Sequence, residues 1–257
     1  MISGLLGVAF EKPSTHDFVW SCWGGSGLGC FNFIMFLLLI SVGAFVLMFW
    51  TAFRKPQIVP GKWQVAMETG VGFVREQIVV QMIGPEGMGF LAFLTTIFFF
   101  ITLGNILEVI PGINFPLNSR LAFPLMMALT VWVLYNYIGV KKHGFLGYLK
   151  MVMFPPGVPT ALKPFLALIE FFSVILVRPF TLTVRLTANM IAGHFLLATF
   201  FLGTIVLFTG TPYVLGVASF ALGVLMVGFE IFVAVLQAFI FAVLTASYIA
   251  GAMASEH

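Results

Sequence analysis

Charge is scarce in this sequence, and this scarcity limits the class of protein it can be. Only 8% of the 257 residues are charged, and the net charge of +3 is spread thinly without a polybasic run, which argues against a nucleic-acid partner. Apolar residues make up 61% of the chain, and its mean hydropathy of +1.11 is far above the range of soluble domains. The composition therefore predicts an all-α integral membrane protein.

Cysteine and histidine are also rare, with two and four residues. Cys22 and Cys30 match no metal-ligand spacing, and no pair of His, Cys or carboxylate residues has the helical spacing of a metal site. The sequence also has no phosphate-binding loop, nucleophile elbow or Ser/His/Asp constellation. We therefore expect no metal, no cofactor and no catalytic site belonging to this chain alone.

Uninterrupted apolar stretches indicate about five membrane helices, because about 20 residues cross the hydrocarbon core of a bilayer. The first three spans are predicted at 28–50, 88–110 and 121–140. Two longer stretches follow at 160–209 and 213–254, and helices of that length, about 60 to 75 Å, are twice the hydrocarbon thickness. We therefore expect the last two to form a long, strongly tilted hairpin around the Gly-Thr-Pro turn between them.

Basic residues near the ends of the spans predict the orientation of the chain. Clusters at 54–62 and 141–143 follow the first and third spans, so the positive-inside rule assigns both loops to the cytoplasmic side. The N-terminus is then outside and the C-terminus inside. The mixed polar and apolar segment 65–83, together with 144–159, is expected to form amphipathic helices in the membrane interface.

The chain is expected to form a single transmembrane domain at 28–257, preceded by an outer-side segment at 1–27. That first segment has neither the basic start nor the small-residue cleavage site of a signal peptide, and the apolar span after it is too long for a signal-peptide core. We therefore expect it to be retained.

Nine polar residues stand within the apolar stretches, where an ionisable side chain is unfavourable by about 2.5 to 3.5 kcal/mol on insertion scales. Each is therefore a candidate functional residue, with a structural ion pair or a side chain that reaches the interface as the alternative. That alternative is favoured for Arg178, which lies near a segment end. It is also favoured for Arg120, which lies near a segment end but is not one of the nine. The nine are Asn105, Glu108, Glu170, Arg178, Arg185, Asn189, His194, Glu230 and Gln237.

Arg185 is the hardest of these to explain structurally, because it lies deep in an apolar stretch and a guanidinium cannot lose its proton. Its helical neighbours Thr181 and Asn189 share its face but carry no negative charge. A carboxylate from another helix or another chain is therefore implied. Glu230 and Gln237 lie on one stripe that could face it across the hairpin, whereas His194 points to the opposite side of the helix of Arg185.

A fixed cation together with Glu, His, Asn and Gln in hydrocarbon is typical of a proton path, because Glu and His exchange protons and amides hold water. For His194 a satisfied structural imidazole is the alternative. A secondary transporter would predict inverted repeats, and a membrane enzyme a catalytic constellation at an interface, and the sequence contains neither.

Two segments resemble the ATP synthase subunit a family. They are 179–194, PFTLTVRLTANMIAGH, and 236–245, LQAFIFAVLT, and the hydropathy profile agrees from residue 28 onward. The resemblance implies that the tilted hairpin lies against a rotating c-ring, whose subunits each carry one carboxylate. Arg185 would attract each carboxylate and block direct leakage between two offset aqueous half-channels. The implied partners are the c-ring, peripheral-stalk b subunits, the remaining ATP synthase subunits, protons and membrane lipids.

The resemblance also assigns roles to the other polar residues, residue by residue. Asn189 and Gln237 match residues that flank the arginine, while His194 and Glu230 match a proton-relaying pair of the outer half-channel. Asn105 and Glu108 are similar to residues lining the same channel, and Glu170 resembles an acidic residue of the inner one, shifted by one position relative to Pro179. Arg120 stands where many bacterial relatives have an acidic residue. The implied location is a bacterial plasma membrane, with the mitochondrial inner membrane as the alternative.

Overall fold

The computed structural model describes residues 33–107, 109–110, 118, 121–153, 163–210 and 213–254. Segment 1–27, both cysteines, Glu108 and Arg120 lie outside the described residues. The described part of the chain is mainly helical and contains no strand. Its α-helices are α1 Phe33–Phe53, α2 Lys62–Val74, α3 Leu91–Ile106, α4 Ala122–His143, α5 Phe145–Met153, α6 Lys163–Phe172, α7 Arg178–Gly210 and α8 Tyr213–Met253.

Five helical segments among the described residues are long and apolar enough to cross a membrane, which confirms the expected all-α membrane fold. The second differs from its predicted bounds at both ends. It begins earlier, with a 3-10 turn at Pro85–Phe90, because Gly84 adopts a φ of 88° and Pro85 then starts the helix. The segments are Met35–Phe53, Pro85–Ile106, Ala122–His143, Lys163–Phe208 and Tyr213–Met253.

Both segments that were expected to lie in the membrane interface contain helix. The predicted 65–83 segment corresponds to α2 and a π-helical turn at Arg75–Val80. The predicted 144–159 segment contains α5, which follows Gly144 at a φ of 73°. Their position in a membrane remains a prediction.

The fourth long segment is interrupted by a π-helical turn at Ser173–Val177, between α6 and α7. In this turn the Arg178 amide donates to the Ser173 carbonyl. The next donor along the chain would be Pro179, which has no N–H. The carbonyl of Val174 accepts two side-chain bonds from α4 instead, from Trp132 Nε1 at 3.0 Å and from the Tyr135 hydroxyl at 2.9 Å. The donor that Pro179 lacks is therefore accommodated by this turn directly before it.

The described residues group into two compact units, and the first contains those within 33–47, 100–118 and 188–236. In it α7 and α8 run antiparallel, as expected for the hairpin. A β-carbon at Gly203 would lie 3.2 Å from the Ser219 hydroxyl, and one at Gly216 would lie 3.2 Å from the Phe208 ring. Glycine at these points lets the two helices approach closely, as is common between membrane helices.

The second unit contains the described residues of 48–99, 121–187 and 237–254. In it the ring of Phe73, which is partly exposed, contacts Phe98 at 5.9 Å and Phe239 at 5.7 Å, measured between ring centroids. Along α8, Ala238, Ala242 and Ala246 are fully buried at every fourth position. This row of small side chains allows neighbouring helices to pack close to the α8 backbone.

Candidate functional site

Arg185 lies on an exposed face of α7 that is otherwise lined by small side chains. Thr181, Ala188 and Ala192 share this face and are also exposed, whereas Leu186 and Met190 on the other side of the helix are fully buried. Among the described residues no carboxylate oxygen lies within 4.0 Å of the Arg185 guanidinium. The helix thus presents a cation outward without a counter-charge from the described part of its own chain.

A buried carboxylate lies in the first unit, on α8. Glu230 is only 5% exposed, and its side chain packs against the backbone of Gly193 on α7, where a β-carbon would lie 2.2 Å from Glu230 Oε1. His194 follows this glycine and is half-buried. The helices therefore bring the segment of His194 to the level of Glu230, as an antiparallel hairpin requires.

Two buried asparagine side chains are linked by hydrogen bonds to the same part of α8. Asn105 Nδ2 donates to the carbonyl of Ala234 at 3.3 Å, one turn after Glu230. Asn118 Nδ2 in turn donates to Asn105 Oδ1. Both asparagines are almost completely buried, at 1% and 0% exposed, where a polar group needs a hydrogen-bond partner. We call Glu230, Asn105 and Asn118 the α8 polar cluster.

Sequence reasoning did not select Asn118 as a site residue. It stands in a loop beside Pro116 and Ser119, which is typical of a turn residue. Only the bond to Asn105, which lies 13 residues earlier in the chain, reveals its place in the cluster. No local pattern in the sequence carries that signal.

A second polar group lines a cavity of about 220 Å³ in the second unit. Arg178 lies in its wall, half-buried, with its guanidinium 4.9 Å from the ring centroid of Tyr248 and 5.9 Å from that of Tyr135. Glu170, also half-buried, and Tyr148 line the same cavity. Arg178, for which an ion pair or a side chain reaching the interface was the favoured alternative, makes two cation–π contacts here.

Burial and charge at this cavity both affect the ionisation of the Tyr148 hydroxyl, on α5. Burial raises the pKa of its hydroxyl, and the positive charge of Arg178 acts in the opposite direction. The hydroxyl also lies 3.2 Å from Asn136 Oδ1 and donates to it. Arg178 is thus close enough to this cavity wall to influence ionisation there.

The remaining predicted site residues are distributed between these groups. Asn189 is half-buried one turn after Arg185, and Gln237 is 6% exposed on α8. Glu108 cannot be located, because it lies outside the described residues. Within the described part of the chain no three His, Cys, Asp or Glu side chains are grouped closely enough to hold a metal ion.

Comparison with known proteins gives a consistent result. The family model described as ATP synthase A chain matches residues 33–250. The chain is 40% identical to ATP synthase subunit a of Streptomyces lividans over 98% of this chain and 90% of the relative. It is 41% identical to the subunit of Rhodococcus erythropolis, over 96% and 92%, and 37% identical to that of Rhodospirillum rubrum, over 83% and 85%.

Proposed function

This chain belongs to the ATP synthase subunit a family, the proton-translocating membrane subunits of F-type ATP synthases, and we propose that Arg185 is where its stationary helices meet a rotating ring of carboxylate-bearing subunits. It is a multi-pass membrane protein of bacterial type, with helices long enough to span a bilayer, and it is part of an ATP synthase complex.

The observation that carries this proposal is the uncompensated charge of Arg185. An arginine at the centre of a membrane helix is unfavourable by about 2.5 to 3.5 kcal/mol on insertion scales. A carboxylate brought to about 4 Å offsets this by about 4 kcal/mol at an effective dielectric constant of 20. Since none of the described residues supplies that carboxylate, a partner subunit is the natural source. The small neighbours Ala188 and Ala192 leave room for a partner helix.

Two separate polar regions support an entry path and an exit path for protons. The α8 polar cluster, together with His194 and Glu108, would form the outer half-channel. The cavity lined by Glu170 would belong to the inner half-channel, because the second basic loop directly precedes α5, which lines it. Asn189 and Gln237 would flank the arginine between the two.

In this mechanism a proton enters from outside, neutralises a ring carboxylate and travels with the turning ring. It leaves through the inner path, and the exposed carboxylate is then attracted to Arg185. Because the arginine keeps its own proton, it passes none directly between the half-channels. Each proton delivers about 2.3 kcal/mol per 100 mV of membrane potential, which drives ATP synthesis in the soluble head. Peripheral-stalk b subunits would hold this chain stationary.

The test is disulfide cross-linking in native membranes that hold the assembled complex. Single cysteines at Ala188 and Ala192 are combined with cysteines along the ring helix that carries the carboxylate. We expect cross-links at both positions and a loss of ATP-driven proton pumping when they form. Phe180 is the matched control, because it is exposed on α7 but lies about 140° around the helix from Arg185.

An Arg185→Ala variant completes the test. We expect normal assembly with no measurable proton pumping, because nothing else described on this face can attract the ring carboxylate. Pumping by this variant, or cross-links at Phe180 but not at Ala188 and Ala192, would refute the proposed role.

A further inference from the structure

Arg178 is held in a fixed position by three helices. Its guanidinium lies over Tyr135 of α4 and Tyr248 of α8, and its backbone starts α7 directly after the π-helical turn. Tyr135 also donates its hydroxyl to the Val174 carbonyl of that turn. The same tyrosine therefore fixes both the backbone before Arg178 and the face against which its charged group rests.

Glu170 lines the same cavity as Arg178 but forms no direct ion pair with it. Among the described residues no carboxylate oxygen lies within 4.0 Å of the Arg178 nitrogens. A cavity of about 220 Å³ is large enough for several water molecules, since one needs only about 10 to 15 Å³ on this measure. The aromatic contacts hold the guanidinium at the cavity wall.

This separation has a chemical consequence. A bidentate ion pair occupies both carboxylate oxygens, whereas a cation held across a water-filled cavity leaves them accessible and still attracts negative charge. The titratable groups that surround the cavity come from different elements: Tyr148 from α5, Glu170 from α6 and Tyr248 from α8, with Tyr135 of α4 beneath the guanidinium. Arg178 is the one cation among these lining and contacting residues.

We infer that Arg178 is a positioning residue of the inner proton path, which acts through Glu170. Held against two adjacent tyrosine rings, it supplies a fixed positive charge that orients the intervening water and stabilises the carboxylate each time Glu170 gives up a proton towards the cytoplasm. This inference rests on the proposed function, in which Glu170 belongs to the inner half-channel. It goes further by assigning a role to Arg178 and to the two rings that hold it.

The test is a double-mutant cycle in the assembled complex, measured as ATP-driven proton pumping in inverted membrane vesicles. Arg178→Gln and Glu170→Gln are compared singly and together, normalised to the amount of complex. We expect each single variant to lower pumping about tenfold, the size usual for coupled members of a polar network, and the double variant to be no worse than either. Independent losses that multiply in the double variant would overturn the inference, as would normal pumping by Arg178→Gln.

Two variants separate charge from shape. Arg178→Lys keeps the positive charge and should restore most of the pumping lost in Arg178→Gln. Tyr248→Leu removes the ring face against which the guanidinium rests and should lower pumping only when Glu170 is present. If Arg178→Gln does not assemble, Tyr248→Leu takes its place in the cycle, and a loss that persists without Glu170 would contradict the inference.

The outcome is distinguishable from a failure of the proposed function. Arg185→Ala tests the rotor-facing arginine without involving this cavity. If Arg185→Ala abolishes pumping while Arg178→Gln pumps normally, only the role of Arg178 is lost. If Arg185→Ala still pumps, the proposed function itself fails.

Discussion

The carboxylate of Glu230 on α8 rests directly on the backbone of Gly193 on α7. A β-carbon at position 193 would lie 2.2 Å from Oε1 and 2.5 Å from both Cδ and Oε2, far inside van der Waals contact. A larger residue at this position would therefore push the end of the Glu230 side chain out of its place against α7. The relationship links a residue of the recognisable α7 segment to the acidic residue expected to relay protons.

Gly193→Ala should displace the Glu230 carboxylate and slow proton entry. Overpacking of this kind is unfavourable by about 1 to 3 kcal/mol, so we expect pumping in inverted vesicles to fall about 5- to 100-fold. The measurement is the initial rate of ATP-driven proton uptake per assembled complex.

Gly43→Ala on α1 is the matched control for that prediction. A β-carbon there meets nothing within 4 Å, so pumping should be unchanged. If Gly193→Ala pumps as well as Gly43→Ala, the Glu230 carboxylate does not need its position against α7.

Asn105→Leu should loosen the contact between α3 and α8. The substitution leaves the Ala234 carbonyl and the Asn118 amide without the partner that Asn105 provides, and an unsatisfied buried group is unfavourable by about 1 to 3 kcal/mol. We expect a lower temperature of thermal inactivation for the detergent-solubilised complex. Thr96→Val on the same helix removes only an exposed hydroxyl bonded within α3, and it should leave that temperature unchanged.

Trp132→Phe and Tyr135→Phe should each lower the thermal stability of the complex slightly. Combined, they should lower it strongly. Each removes one of the two donors to the Val174 carbonyl, at about 0.5 to 1.5 kcal/mol, while the other still satisfies it. The double variant leaves this carbonyl without a donor, so its loss of thermal stability should exceed the sum of the two.

Thr130→Val is the control for this pair, because its hydroxyl bonds only to Met126 within α4. Strict additivity of the two ring substitutions would indicate that the Val174 carbonyl does not depend on them.

The helices of this protein could be predicted from its sequence because hydrophobicity is a local property in a membrane. Five apolar stretches predicted five spanning helices, and the glycine-rich pairing of α7 with α8 follows from the short turn between them. The isolation of Arg185 within its apolar stretch was likewise visible in the sequence and agrees with its exposed position on α7.

Other features depend on contacts between distant residues and so left no local pattern. The π-helical turn requires donors from Trp132 and Tyr135, about 40 positions before Val174. The clamp on Arg178 requires Tyr248, 70 positions later, which looks in the sequence like any other apolar helix residue. Such pairings are decided by tertiary packing, which periodicity does not encode.

The π-helical turn at Ser173–Val177 also makes the number of residues before Arg185 as important as their identity. With α6 and the Val174 contacts held in place, one inserted residue would advance every later side chain of α7 by about 100° around its axis. Arg185 would then occupy the position of Leu186, which is fully buried. Substitutions in this stretch change only side chains, whereas a single-codon insertion or deletion would turn the charged face of α7 away from its partner.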